Sequence, residues 1–403
     1  MTLTHHQLEI FPRMFMYDYD LEERKMNSSI RDWRKALRTP ATYRVGNAVT
    51  LQPRFIFLVG MCGVFLLILF YCNWTSGQTH TVQRWSSITR PYNATYPLTT
   101  PVVSGDVVTF RIGIVTDLDT NSKTSSQPNA FHSYFKKGSL NYDPVKKQVT
   151  VAWDSQPAII LSSTYAHKGR GMELSELIVY DGRLLTFDDR SGMVFEILNN
   201  KMIPWVILTD GNGHTEKGLK AEWASVKDEI LYVGSMGKEW TTASGDFQSY
   251  DPMWIKIINM HGEVQHQTWV NQYKAVRSAI NIQWPGYMIH ESAVWSNAAQ
   301  KWHFLPRRCS QVPYNETRDE VMGCNYLITT DAGFNHVEAV EPKHGFSSFK
   351  FIPGSNDEAI VALKTTEFEG KTATYISAFR TDGTVLLHDT FVEDLKYEGL
   401  EFI

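Results

Sequence analysis

The sequence predicts an all-β chain, a five-bladed β-propeller preceded by a single transmembrane helix, and three observations carry that prediction. An uncharged apolar run lies near the start. Short apolar strands separated by turn dipeptides fill the rest. A phrase of oxygen-bearing residue, strand, polar turn and second strand recurs along them.

The apolar run comes first in the chain. Residues 55–72, FIFLVGMCGVFLLILFYC, carry no charge over 18 positions, close to the roughly 20 that span a bilayer core. With 54 residues before it and no small-residue cleavage site, it reads as a signal anchor and not a cleaved leader. Arg31, Arg34, Lys35, Arg38, Arg44 and Arg54 precede it against Asp32, while only Arg84 and Arg90 follow closely. The positive-inside rule therefore predicts a type II protein: residues 1–54 a cytoplasmic tail, 55–72 the anchor, 73–105 a Thr/Ser/Pro-rich lumenal stem and 106–403 the propeller. Sequons at Asn93 and Asn315 fall on the lumenal side as glycosylation candidates; Asn73 is too near the membrane, and Asn27 is cytoplasmic. Cys62 and Cys72 lie in or beside the anchor. Cys309 and Cys324, fifteen positions apart like the arms of a long hairpin, are disulfide candidates in an oxidising lumen, with the pairing left open.

Composition narrows the classes. At 43% hydrophobic and 20% charged residues the chain is globular, and a net charge of −4 gives no basic field for nucleic acid. Aromatics at 13% suit strands.

From there the strands read in order: Val107 to Val115, Val149 to Trp153, Leu177 to Tyr180, Leu184 to Phe187, Ile230 to Val233, and Ala359 to Leu363. Asp181-Gly182, Ser191-Gly192, Pro353-Gly354 and Asp382-Gly383 mark turns. Sandwich, barrel and propeller all fit such a series. The recurring phrase separates them. It begins at Ser175, Glu222, Glu291 and Ser347, with a truncated fifth copy at Glu398, at spacings of 47, 69, 56 and 51 residues. These are near or above one blade each. Outer strands from residues 107–153 would complete the fifth blade and close the ring.

One oxygen-bearing residue per blade puts five of them around a central channel. Three carboxylates and two serines, with no histidine, suit Ca²⁺ and argue against zinc or iron.

Long ordered stretches then resemble the calcium-activated nucleotidase (apyrase) family: Ile114-VTDLDT, Lys168-GRGMELSEL, Phe187-DDRSG, Pro204-WVILTDGNG, Glu216-KGLKAEW, Gly237-KEWTT, Gly286-YMIHESAVW, Phe304-LPRR, His344-GFSSFKFIP and Lys396-YEGLEFI. The match runs from about residue 90 onward. The resemblance implies a five-bladed propeller with calcium in its tunnel, held at Ser175, Glu222, Glu291, Ser347 and Glu398. It also implies hydrolysis of nucleoside di- and triphosphates with UDP and GDP preferred over ADP, residence in the endoplasmic reticulum or Golgi, and a calcium-dependent homodimer.

Cleaving a phosphoanhydride requires charge neutralisation and an oriented water. Asp117 and Asp119, after an apolar strand, and Glu222 are candidates to handle that water; an Asx turn is the bland alternative for the two aspartates. Arg170 and Arg190 are candidate phosphate clamps, with Lys168 and Arg308 as weaker ones; an ion pair with Asp188 or Asp189 is the alternative for Arg190. Trp223, Trp240 and Trp295 lie near the motifs, with none assigned to the base. Two other functions remain open: a type II Golgi glycosyltransferase using Asp117-Leu118-Asp119, and a non-enzymatic, calcium-stapled propeller that binds glycans or proteins.

Overall fold

A computed structural model describes residues 43–45, 49–51, 53–77 and 90–403, apart from 126, 341–344 and 369. The remainder of the expected cytoplasmic tail, Asn27 and residues 78–89 of the expected stem lie outside the described residues. The chain divides into two units, Met1–Arg90 and Pro91–Ile403.

In the first unit a short antiparallel pair, Tyr43–Val45 with Val49–Leu51, precedes a 25-residue helix, Pro53–Gly77. The helix covers the stretch read as a membrane span, and its side chains are described over residues 57–69. No helix among the described residues is long and apolar enough to cross a membrane.

The second unit is a ring of five antiparallel blades. Four of them follow the chain: Leu174–Tyr180 through Lys201–Ile207, Trp223–Lys227 through Val264–Thr268, Ala293–Ser296 through Val337–Val340, and Ser348–Phe351 through Val385–Glu393. The fifth joins both ends of the unit. Its inner strand, Tyr397–Phe402, pairs with Val107–Thr116, which pairs outward with Phe131–Asp143 and Gln148–Trp153. Each inner strand touches the next, and Tyr397–Phe402 touches Leu174–Tyr180, closing the circle. The unit also starts earlier than the expected boundary at 106: Val102–Ser104 pairs with the fifth blade, and Tyr92 packs on Tyr180 at 5.6 Å.

Alternation along the strands explains the ring. Successive side chains point to opposite faces, so an inner strand covered on both sides presents apolar residues to both neighbours. In the first blade Leu177 and Val179 pack toward the fifth, beside Val115 and Phe135. Ile178 and Tyr180 pack toward the second, beside Leu231 and Val233. The same division puts Val361 and Leu363 against the fifth blade and Ile360 and Ala362 against the third. Between blades two and three, Trp223, Trp302 and Phe304 fill the gap, joined by Trp269 at the start of the helix Val270–Ser278 and by Tyr273 on it. No strand signal foretold that helix. Both faces of each blade are thus dry, and polar side chains collect at the strand ends around the axis.

Candidate active site

All five inner strands start at the same end of the ring, and Ser175, Glu222, Glu291, Ser347 and Glu398 stand at or beside those starts, every one buried. Two of them occupy β-bulges. The first-blade register shifts between Leu174 and Glu176, and the fifth-blade register between Tyr397 and Gly399. A bulge re-aims the extra side chain away from the ladder. Gly399 permits this geometry, because a Cβ there would lie 2.7 Å from the Glu176–Leu177 backbone.

Position two before the phrase residue turns out to matter as well. Lys220 and Lys396 precede Glu222 and Glu398 by two residues, so in extended chain they share a face. Lys220 Nζ sits 2.7 Å from Glu222 and pairs with Asp189. Lys396 Nζ lies 2.6 Å from Asp117, 2.9 Å from Asp119 and 3.2 Å from Glu367. Arg307 completes the mouth: Nη1 is 2.5 Å from Glu291 and 2.6 Å from Glu398, and Nη2 is 2.6 Å from Glu367. The residue before the predicted Arg308 is therefore the central one. Arg308 lines the same cavity, where its Nε lies 4.0 Å from Asp319 and not beside the three glutamates. The Arg307 backbone donates to the Ile289 carbonyl and accepts from Cys324 N–H. Cys324 is disulfide-bonded to Cys309, with Cα atoms 5.0 Å apart. Gly345 lets the two loops meet, since a Cβ there would lie 2.1 Å from the Arg307 carbonyl oxygen.

These groups line a cavity of about 180 Å³ that shares Lys220, Glu222, Ile289 and Glu291 with an adjoining one of about 410 Å³. Lys168, Arg190 and Trp240 line the larger space. Of the three tryptophans near the motifs, Trp223 and Trp295 are core, while Trp240 is 37% exposed with Lys217 stacked 4.2 Å from its ring centre.

The candidate acids gather beside this mouth. Ligand oxygens of Asp117, Asp119 and Glu173 all lie within 4.8 Å of one another, the acidic group this tight among the described residues. Asp119 N–H donates to Asp117 Oδ1 at 2.7 Å, so the Asx turn is present too. Arg170 is tied to Glu173 at 2.5 Å and Asp119 at 3.4 Å, and therefore faces carboxylates. Arg190 does not pair with Asp188 or Asp189 as the alternative reading had it. Its backbone N–H bonds Asp188, and its Nε lies 3.8 Å from Glu173 because the turn points the side chain across to that residue.

Burial sets the charge states. It pushes Glu222 up to about 8, with Glu291 and Asp189 adding repulsion and Lys220 opposing. Glu173 rises to about 7 by burial, with Arg170 opposing and Asp117 and Asp189 adding repulsion. Burial also raises Glu398 well above the carboxylate range, whereas in Asp117 burial is outweighed by the Lys396 ammonium together with Lys220 and the Asp119 N–H, and the net shift is downward.

Does the ring suit a hard cation? Its donors are all oxygens, its carboxylates are buried and mutually repelling, and Asp189 Oδ1 has no hydrogen-bond partner. The Ser175 hydroxyl donates to the Ala221 carbonyl and the Ser347 hydroxyl to Thr365, so their lone pairs remain for an ion. The donor set fits calcium. Asn93 and Asn315 are both exposed; Asn315 also caps the short helix Glu316–Asp319.

The sequence model of the apyrase family matches residues 118–403. The chain is 46% identical over 366 residues to soluble calcium-activated nucleotidase 1 of Rattus norvegicus, covering 87% of this chain and 90% of that protein. It is 43% identical over 373 residues to an apyrase of Cimex lectularius, covering 90% and 100%. Apyrase apy-1 of Caenorhabditis elegans is 39% identical over 301 residues, covering 73% and 84%.

Proposed function

The chain belongs to the apyrase family, and from that premise we propose that it hydrolyses nucleoside di- and triphosphates with Ca²⁺, preferring UDP and GDP to ADP. The observation that carries this reading is the mouth itself, where buried Glu222, Glu291 and Glu398 meet Arg307 and open into a space lined by Lys168 and Arg190. Glu222, Glu291, Glu398, Ser175 and Ser347 would hold the ion, which would supply positive charge and Lewis acidity to the phosphate chain. Arg190 and Lys168 grip the phosphate chain from the other wall. Asp119, whose side chain is 52% exposed, accepts a hydrogen bond from the attacking water and aligns it behind the terminal phosphorus. Asp117, held ionised by Lys396, positions Asp119 through the turn they share. Glu173, at about 7, suits a group that takes up the water's proton near neutral pH. The water oxygen bonds to phosphorus as the bridging P–O bond breaks, and the nucleotide leaves with one phosphate fewer.

The uncharged run and the basic residues before it support a type II anchor with the propeller in the lumen of the endoplasmic reticulum or Golgi. There the enzyme clears UDP left by glycosyl transfer, in support of glycosylation and proteoglycan synthesis, and pairs as a calcium-dependent homodimer. Cleavage in the stem yields a secreted soluble form.

One assay tests the core of this: phosphate release from UDP, GDP and ADP with Ca²⁺, Mg²⁺ or EGTA. Release indifferent to EGTA rules out the calcium mechanism. Release from UDP only when a sugar acceptor is present points to a transferase, and no release at all leaves a binding propeller.

A further inference from the structure

The tunnel has a second mouth, at the opposite ends of the inner strands. A cavity of about 560 Å³ opens there, lined by the turns of blades two to four (Glu229, Asn297, Asp357) and on one side by Tyr92 and Tyr96. Those tyrosines belong to the segment that enters the propeller. It is fastened at three points: Tyr92 packs on Tyr180, Asn93 N–H donates to Asp181 Oδ1 at 2.9 Å, and the Tyr96 hydroxyl donates to Glu401 Oε1 at 2.9 Å. Glu401 is 1% exposed and also accepts from Val179 N–H at 3.0 Å and from its own neighbour Phe402 N–H at 2.7 Å. One buried carboxylate thus joins the entering segment, the first blade and the last strand.

That last strand, Tyr397–Phe402, carries Glu398 at the catalytic mouth, in the bulge where the ladder skips a residue. A bulged side chain is aimed by the register of the strand around it, and Glu401 pins that register from the other end. We propose that residues 91–97 act as a clasp: by holding Glu401, they fix the register of the last strand and so set Glu398 for calcium. The segment leading into the propeller is then a control point for a site at the far end of the tunnel, with Tyr96 and Glu401 as positioning residues. This inference rests on the calcium reading above.

The test is calcium titration by calorimetry on the purified full-length chain and its Tyr96→Phe variant, with amide exchange of residues 397–402 in the calcium-free state. Tyr96→Phe keeps the ring and removes one hydroxyl, so the fold is retained. The expected result is a calcium Kd raised at least about threefold, a coupling at or below the usual range between linked sites, and faster exchange across the strand. The double variant with Glu401→Gln should bind calcium no more weakly than the weaker single variant. A Kd within twofold of the unaltered chain, with only the melting temperature lowered, makes the segment a plain structural support and overturns the clasp. So do unchanged exchange or additive losses in the double variant. If the unaltered chain itself binds no calcium, the calcium assignment fails, and the exchange measurement still decides whether Tyr96 governs the strand.

Discussion

The two mouths of the tunnel are built by the same five strands and treat charge in opposite ways. At the start of the strands, Glu222, Glu291, Glu398, Asp117, Asp189 and Glu367 share three cations, Lys220, Lys396 and Arg307. At the far mouth Glu401 has both oxygens bonded, and within the wall Glu176 is matched by Lys350 at 3.0 Å and by Ser348. Buried charge that is left over repels its neighbours and is costly to hold. A fold keeps such a cluster only where something else neutralises it, and here that points to a cation and a phosphate chain. A balanced cluster fixes structure; an unbalanced one is ready for a ligand.

The strongest way to break this contrast is Arg307→Met. It strips buried Glu291 and Glu398 and half-buried Glu367 of a shared partner, and removing one member of a buried pair costs about 3–5 kcal/mol. The melting temperature should fall steeply, activity should disappear, and saturating calcium should restore part of the stability. A variant as stable as the unaltered chain would show that the mouth is not charge-frustrated.

Next comes Glu398→Gln, and likewise Glu291→Gln, each of which removes an excess charge and a donor together. Calcium affinity and phosphate release should fall in parallel, by about a hundredfold or more. The calcium-free melting temperature should change little, because the lost carboxylate was repelled by its neighbour. A variant with normal calcium binding and no activity would move Glu398 from the ion to the reaction.

Asp119→Asn probes the half-exposed acid at the rim. General acid–base and water-orienting groups contribute about 10²–10⁴-fold, and the asparagine keeps a hydrogen-bonding oxygen, so turnover should drop by roughly the lower figure with calcium Kd held within about twofold. Loss of calcium binding in step with turnover would assign Asp119 to the ion.

An effect on stability alone, with calcium binding and turnover unchanged, belongs to the dry interface behind the far mouth. Burial lowers His303 to about 4; its ring lies 5.0 Å from Phe351, which lines the distal cavity. Its unfolded value is about 6.5. Because the folded pKa is depressed, the stability it contributes is present above about 6.5 and is lost as pH falls toward 4. Against the unaltered chain, His303→Phe should lose up to about 3 kcal/mol less stability over that window in urea titrations, the drop from about 6.5 to about 4 taken at about 1.4 kcal/mol per pKa unit. Parallel curves for the two proteins would mean the imidazole reaches water.

Reading the sequence located the site better than it ordered the site's parts. Glu222, Glu291 and Glu398 were legible because each opens a repeat, and a repeat fixes position on the ring. Lys220 and Lys396 were equally available, two residues earlier on the same face of extended chain, but a lone lysine beside a motif carries no mark of burial. Arg307 was passed over for Arg308. Strand parity decides which of two adjacent arginines turns inward, and that parity depends on the pairing of Arg308–Ser310 with Tyr287–Ile289, a contact that closes across the first two strands of the third blade. Glu173, two residues before Ser175, gains its significance only when Asp117 and Asp119 arrive from the fifth blade.

The sequence alone determined the architecture, because alternation of apolar side chains, turn dipeptides and repeat spacing are local properties that every folded copy must obey. It also put one oxygen-bearing residue at the head of each repeat. The tertiary structure decided what surrounds them: which cations are shared, which carboxylates are left over, and that a segment before the first blade reaches Glu401 in the last strand. Those are differences in burial and in charge balance between residues far apart in the chain, and neither quantity exists until the ring has closed.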